Sequence, residues 1–186
     1  MSKKHNPYNI VIQNVVATSS LRTTIDLLEI MKVFRNVEYR PKRFPGLVFR
    51  LKKPKTATLI FTTGKMVCTG AKSSKEARKA VRKVVRELKD QGFIIRGKPE
   101  ITVQNMVSSA DVLGKIDLEE AAYVLDNIMY EPEQFPGAVY RMAEPKVVIL
   151  IFSSGKLVVT GAKSEEHVYE AVDKMKTILE DNELIY

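Results

Sequence analysis

Apolar and polar positions follow one order along the chain, and that order occurs twice. Ile10–Val16 is a β-branched run closed by a Ser/Thr cluster, which predicts a strand. Over Thr24–Phe34, Ile25, Leu28, Met31 and Val33 recur at roughly helical spacing. Arg40-Pro41-Lys42-Arg43-Phe44-Pro45-Gly46 must be a loop, because two prolines and a glycine break both helix and ladder. Leu47–Leu51 and Thr56–Phe61 read as strands joined by the turn Lys52-Lys53-Pro54-Lys55. Thr62-Thr63-Gly64-Lys65 is a hairpin turn leading into Met66–Thr69. Ser73 then caps a helix to about Gln91, with Ala77, Ala80, Val81, Val84, Val85 and Leu88 along one stripe. The second half repeats the series. Ser164 caps its last helix, whose stripe is Val168, Ala171, Val172, Met175 and Leu179. Gly92–Glu100 joins the halves, and the acidic end Glu180–Tyr186 is expected to fray.

The repetition is gapless. Ile10–Asp90 aligns with Ile101–Asp181 at a constant offset of 91, and Gln13-Asn14, Phe44-Pro45-Gly46, Leu59-Ile60-Phe61 and Thr69-Gly70-Ala71-Lys72-Ser73 all recur at that offset. The period exceeds the roughly 20–50 residues of a solenoid unit and matches a small domain. The division predicted is residues 1–91 and 92–186, forming one continuous body. Two like halves imply a pseudo-twofold molecule, which suits a nearly twofold partner such as duplex DNA.

Strand parity carries the functional signal. A strand covered on one face alternates apolar and polar residues. Here both parities are apolar: Leu59 and Phe61 oppose Ile60, and Val67 and Thr69 oppose Met66 and Cys68. The helices suffice to cover one face of so small a sheet. Either a third layer buries the other face or an apolar surface is left for binding.

Composition narrows the options. No apolar run among the 186 residues approaches a membrane span of about 20 residues, and the N-terminus lacks the apolar segment of a signal peptide. The expected location is therefore intracellular. Cys68 is the single cysteine, so no internal disulfide forms, and with only His5 and His167 a metal site is not expected. The net charge of +8 suggests a polyanionic partner. Its distribution is lopsided. Residues 1–91 hold 21 Lys and Arg against 6 Asp and Glu, a net +15, whereas residues 92–186 hold 9 against 16, a net −7. The halves share a pattern but not a charge.

Four phenylalanines form two repeated pairs, Phe44 with Phe61 and Phe135 with Phe152. Phe44 and Phe135 sit in Pro/Gly loops, outside any apolar stripe, where an aromatic can act as a wedge between base steps. A core role fits Phe61 and Phe152 better than their partners. Arg43, Arg50, Lys55, Lys65 and Lys72 surround the first-half strands, and Arg141, Lys146, Lys156 and Lys163 match most of them in the second; basic turns rimming an apolar sheet would hold phosphates. Asn14 and Asn105 stand mid-strand, where Asn is disfavoured. They either complete a sheet edge or donate to the minor-groove acceptors that A·T and T·A pairs share. Gly64–Ser73 has the wrong spacing for a phosphate loop, and no Ser-His-Asp set, metal cluster or isolated acid pair occurs. Catalysis is not expected. A protein–protein interface and a base-flipping enzyme such as a glycosylase remain as other readings of an apolar sheet with wedges.

The motifs Gln-Asn-Val/Met-Val, Pro-Lys-Arg-Phe-Pro-Gly, Leu-Ile-Phe-(Ser/Thr)-(Ser/Thr)-Gly-Lys and Thr-Gly-Ala-Lys-Ser, spread from Tyr8 to about Leu179, resemble the TATA-box-binding protein family. The resemblance implies an α+β saddle of two pseudo-symmetric repeats, with a curved ten-stranded antiparallel sheet and four helices on its convex face. It implies a general transcription initiation factor, without cofactor, that binds A·T-rich promoter DNA in the minor groove and recruits transcription factor B and RNA polymerase. By the same resemblance Phe44, Phe61, Phe135 and Phe152 kink the DNA, and Asn14, Asn105, Thr69 and Thr160 hydrogen-bond to bases. Val16, Val67, Val107, Val158, Leu59 and Leu150 line the underside, and Arg43, Arg50, Lys55, Lys65, Arg141, Lys146 and Lys156 meet phosphates. Pro45-Gly46 and the missing N-terminal extension look archaeal, which implies a cytoplasmic, nucleoid-associated protein; a eukaryotic member would be nuclear. Arg40-Pro41-Lys42-Arg43 in the first loop is replaced by Glu131-Pro132-Glu133-Gln134 in the second, and by the same resemblance this second loop, through Glu131 and Glu133, is the expected contact for transcription factor B. An underside bare of DNA leaves self-association open.

Overall fold

A computed structural model describes residues 5–186. Fourteen elements follow in order. The first half gives β1 (Val11–Ser20), α1 (Leu27–Val33), β2 (Val37–Glu38), β3 (Leu47–Lys52), β4 (Lys55–Ile60), β5 (Lys65–Ala71) and α2 (Ser74–Asp90). The second gives β6 (Thr102–Asp111), α3 (Leu118–Val124), β7 (Ile128–Met129), β8 (Ala138–Met142), β9 (Val147–Ile151), β10 (Lys156–Ala162) and α4 (Glu165–Asp181). The predicted α+β class with ten strands and four helices is what forms. The strand order is β2-β3-β4-β5-β1-β6-β10-β9-β8-β7.

The chain divides into two compact units, one spanning Asn14–Gln104 and the other Asn105–Tyr186 with the segment up to Gln13. Each seam therefore falls inside a long strand, β1 or β6.

In the unit Asn14–Gln104, β3, β4 and β5 form an antiparallel meander and β1 pairs antiparallel with β5. Helix α2 packs across β3, β4 and β5. Its stripe Ala77, Ala80, Val81, Val84, Val85 and Leu88 is buried as its spacing predicts. Against it lie Leu47 and Phe49 from β3, Ile60 from β4 and Met66 and Cys68 from β5, all essentially inaccessible. Burial pushes the Cys68 thiol pKa up, so it stays protonated and unreactive. Ser73 accepts a hydrogen bond from the Glu76 amide and so caps α2. The second unit repeats this with α4 on β10, capped by Ser164 to the His167 amide.

Some expectations need correction. The first strand runs on to Ser20, because Thr18, Ser19 and Ser20 pair with Val67, Met66 and Lys65. Strands β2 and β7 are two-residue edge pieces too short for a period-2 signal. The stripe of α1 is Leu27 and Ile30, with Ile25 buried ahead of it, whereas Leu28, Met31 and Val33 face outward. With five apolar residues in seven, the helical phase could not be read from spacing. The acidic tail does not fray. Leu184 is fully buried, its amide donates to the Leu179 carbonyl at 2.8 Å, and Ile185 bridges Ile116. This is a left-handed helix stop with its apolar contact, and here Glu183 (φ 54°) supplies the left-handed residue.

Candidate nucleic-acid interface

The two parities read from the strands separate cleanly in space. Ile60, Met66 and Cys68 lie under the helix, while Leu59, Phe61, Val67 and Thr69 stay half-buried on the other face of the sheet, over which no described helix of the unit packs. Asn14 and Val16 share that open face. The antiparallel register sets the side chains in rows. One row runs Val48, Leu59, Val67, Thr18 across β3, β4, β5 and β1, and the next runs Arg50, Ala57, Thr69. The second unit has the rows Val139, Leu150, Val158, Ser109 and Arg141, Val148, Thr160. Val107 is half-buried on the same parity of β6. Val48, Val139, Ala57 and Val148 complete these rows and were missed from the sequence. Strand alternation together with the hairpin register would have found them.

The phenylalanine pairs are built alike. In each, the loop aromatic is held by a single helical turn: the Phe44 amide donates to the Arg40 carbonyl at 3.0 Å, and Phe135 does the same to Glu131 at 3.0 Å. Phe44 meets Phe61 edge to face with ring centroids 5.8 Å apart, and Phe135 meets Phe152 at 5.8 Å. Phe44 and Phe135 remain 41% and 39% exposed, so each is a supported ring at a free edge. The Phe-Pro-Gly motif now has a physical reason. A Cβ on Gly46 would stand 2.7 Å from Phe44 Cε1 and 3.0 Å from Phe61 Cε1; one on Gly137 would stand 2.9 and 3.0 Å from the corresponding atoms. Only glycine lets both rings close over the backbone.

Asn14 and Asn105 serve the backbone first. Strand β5 carries a bulge between Cys68 and Ala71, opposite Val15–Ala17, and Gly70 takes a positive φ of 98° there. Asn14 Oδ1 accepts from the Gly70 amide at 2.7 Å, and Asn105 Oδ1 accepts from Gly161 at 2.6 Å. Fixing that oxygen fixes the amide nitrogen. Asn14 Nδ2 donates to Thr69 Oγ1 at 3.1 Å, and Asn105 Nδ2 donates to Thr160 Oγ1 at 3.3 Å. Each Nδ2 has two hydrogens, so one is left for a ligand. The structural and the base-contacting readings of these residues are thus compatible, and Thr69 and Thr160 stand beside them. Gln13 and Gln104, singled out only as motif residues, donate to Ser109 Oγ (3.0 Å) and Thr18 Oγ1 (2.9 Å).

Of the basic residues, Arg50, Lys55 and Lys65 share the strand parity of Leu59 and Val67, and Arg141, Lys146 and Lys156 that of Leu150 and Val158; all six are exposed. Arg43 is exposed in the loop beside Phe44. Arg50 lies 3.9 Å from Glu38, an exposed contact weak enough to yield to a phosphate. Glu131 and Glu133 are exposed in the second Phe loop, where the first has Arg40 and Lys42. Among the described residues no group of His, Cys, Asp and Glu could hold a metal ion, and no helix is long and apolar enough to cross a membrane.

Comparison with known proteins finds relatives along most of the chain. A family model described as "Transcription factor TFIID (or TATA-binding protein, TBP)" matches residues 9–91 and again 100–182. The TATA-box-binding protein of Pyrodictium occultum is 57% identical over 88% of this chain and 82% of its own length. That of Pyrobaculum neutrophilum is 49% identical over all of this chain and 93% of its own. The solved structure "Methanococcus jannaschii TBP" superposes with a TM-score of 0.84 at 49% identity, covering 92% of this chain and 98% of that one.

Proposed function

Because the chain belongs to the TATA-box-binding protein family, a family of DNA-binding general transcription initiation factors that bind TATA DNA, we propose that it binds by kinking a duplex laid on the open face of its sheet. The observation that carries this reading is the pair of supported edge rings in each unit, Phe44 on Phe61 and Phe135 on Phe152, beside rows of half-buried aliphatic side chains. A ring braced edge to face can enter a base step without collapsing. Unstacking costs a few kcal/mol per step, least at flexible TA-type steps, and is offset by the apolar surface that a widened minor groove covers. Val16, Val67, Val107, Val158, Leu59 and Leu150 supply that surface. Asn14 and Asn105, steered by Gly70 and Gly161, offer their remaining Nδ2 hydrogens to adenine N3 or thymine O2, which reads A·T against G·C. Arg43, Arg50, Lys55, Lys65, Arg141, Lys146 and Lys156 hold phosphates and make affinity depend on salt.

The bent complex then presents the loop carrying Glu131 and Glu133 to a basic surface of transcription factor B, which brings RNA polymerase. Self-association of the bare underside is the competing fate when DNA is absent. The deciding experiment is end-to-end fluorescence transfer on a short duplex with an A·T-rich TATA-type site, against a G·C-rich control. A bend on the A·T site, lost in Phe135→Ala and Phe152→Ala, is expected. Binding with neither bend nor site preference would overturn the reading in favour of a generic basic surface. Reversing Glu131 and Glu133 should remove ternary complex formation and spare the bend. Loss of both together would count against that assignment.

A further inference from the structure

Helix α2 carries a second basic surface that the sheet does not use. Lys75, Lys79, Arg82 and Arg86 recur at i, i+4, i+7 and i+11, all are exposed, and none has an ion-pair or hydrogen-bond partner among the described residues. The other two mid-helix cations are already engaged: Arg78 donates to the Ile101 carbonyl at 2.8 Å and Lys83 to the Lys53 carbonyl at 2.9 Å. Lys53 stands across a cleft of about 420 Å³ from Lys75 and Lys79 and extends the patch. The stripe lies on the side of α2 away from its buried residues, so it points away from the sheet.

The same fold supplies its own control. At the offset of 91, Lys75 corresponds to Glu166, Lys79 to Glu170, Arg82 to Asp173 and Arg86 to Thr177 on α4. Two helices of the same length, each capped by serine and each packed on its strands by the same five or six positions, bear opposite signs on their outer stripes. Folding therefore does not require the positive sign. It disfavours it, because like charges at i, i+3 and i, i+4 destabilise a helix. On α4, Glu170 is paired with Lys174 at 3.3 Å and Glu180 lies 3.6 Å from Lys176. The cations of α2 have no such relief.

We propose that the outer stripe of α2 is a binding site for the phosphate backbone of a second segment of duplex DNA, separate from the segment on the sheet. Four cations spread over about 16 Å of helix match a polymer bearing one charge per roughly 1.7 Å of its axis. Such a site reads no sequence. It would let one molecule hold two stretches of duplex, one by its open face and one by its back, with the acidic α4 excluded from contact. The inference rests on the charge reversal between α2 and α4 and not on the wedge geometry.

The test uses the full chain immobilised by its N-terminus and a labelled G·C-rich duplex, titrated across a salt series with and without saturating unlabelled TATA-type duplex. The variant K75E/K79E/R82D carries the residues α4 bears at the same places. Its fold is checked by its thermal transition and by its unchanged bending of the TATA-type duplex. The wild type should bind the G·C-rich duplex whether or not the sheet is occupied. The variant should bind it at least tenfold more weakly at low salt, with the slope of log affinity against log salt flatter by about 2.5–3. The converse variant E166K/E170K/D173R should gain a second such site.

Three results would overturn the proposal. The first is competition by the TATA-type duplex for all G·C-rich binding. The second is an affinity unchanged in K75E/K79E/R82D. The third is binding of polyglutamate, or of a second copy by sedimentation, with no duplex bound. Failure of the kinking reading would show as no bend on the A·T site. It would leave the comparison of wild type with the charge-reversed variant readable on the G·C-rich duplex.

Discussion

The two repeats are the same device set in opposite electrostatic surroundings. Beneath the sheet they agree to within a few tenths of an ångström: both phenylalanine pairs have centroids 5.8 Å apart, and each asparagine holds its glycine amide at 2.6–2.7 Å. On the loops and outer helices they part. Arg40 and Lys42 become Glu131 and Glu133, and Lys75, Lys79 and Arg82 of α2 become Glu166, Glu170 and Asp173 on α4. The ring pairs and asparagine bonds are held alike by steric and hydrogen-bonding demands that apply in both copies. What meets the surroundings is limited by solvation alone, and charge there is free to differ. The lesson is that the open face of the sheet is constrained alike in both repeats, whereas the outer helix faces are not.

The largest expected effect probes a demand common to both repeats. A Cβ on Gly64 (φ 87°) would lie 2.2 Å from the Thr23 carbonyl oxygen, and one on Gly155 (φ 93°) 2.2 Å from that of Gly114. Gly64→Ala and Gly155→Ala should each cost about 3 kcal/mol or more. Gly92→Ala, also at positive φ but with open space around it, should cost about 1 kcal/mol. Urea midpoints for the three variants check this, and a cost at Gly64 no greater than at Gly92 would break the argument from close approach.

Next comes the asparagine, where structure and recognition can be pulled apart. Asn14→Ala leaves the Gly70 amide without its acceptor and should cost about 1–2 kcal/mol, with Asn105→Ala alike. Asn14→Asp keeps the acceptor but removes the Nδ2 donor and adds a negative charge on the open face. It should retain most of the stability while losing A·T-site affinity by at least tenfold, read by anisotropy on the two duplexes. Asn14→Ala lacks the donor as well, so if it kept wild-type affinity for the A·T site the donor would have no role.

A smaller effect tests a difference between the repeats. Gly92 ends α2 in the left-handed region, whereas Glu183 takes that place after α4 at φ 54°. Glu183→Gly should raise stability by up to about 1 kcal/mol, visible as a higher melting temperature. The smallest concerns Ser108, whose hydroxyl is buried without a partner among the described residues where the first repeat has Ala17. Ser108→Ala should be neutral or stabilising by about 1 kcal/mol. A loss of stability there would mean that the hydroxyl has a role its surroundings do not reveal.

Much of this was legible in the chain before any coordinates. The parity of Leu59-Ile60-Phe61 and Met66–Thr69 sorted the two faces of the sheet, because a strand's period of two is fixed by backbone geometry. Both long helices and their serine caps came from spacing alone. What was not legible depended on long-range contact. The phase of α1 was hidden by an excess of apolar residues, and only packing chose Leu27 and Ile30 over Leu28 and Met31. The docking of Leu184 was masked by the acids around it, since one buried side chain and three main-chain bonds to the 115–117 segment outweigh a polar composition.

The sequence by itself determined the repeat, the strand faces, the helix stripes and the opposite charges of the halves, because each is a property of residue type and local period. The tertiary structure decided which side chains touch. It closed the Phe44–Phe61 and Phe135–Phe152 pairs over Gly46 and Gly137, turned Asn14 and Asn105 into bulge caps with one donor to spare, and left Lys75, Lys79, Arg82 and Arg86 without partners among the described residues. Residues 17 or 55 positions apart meet only where strand register brings them together, and register is set by the whole sheet.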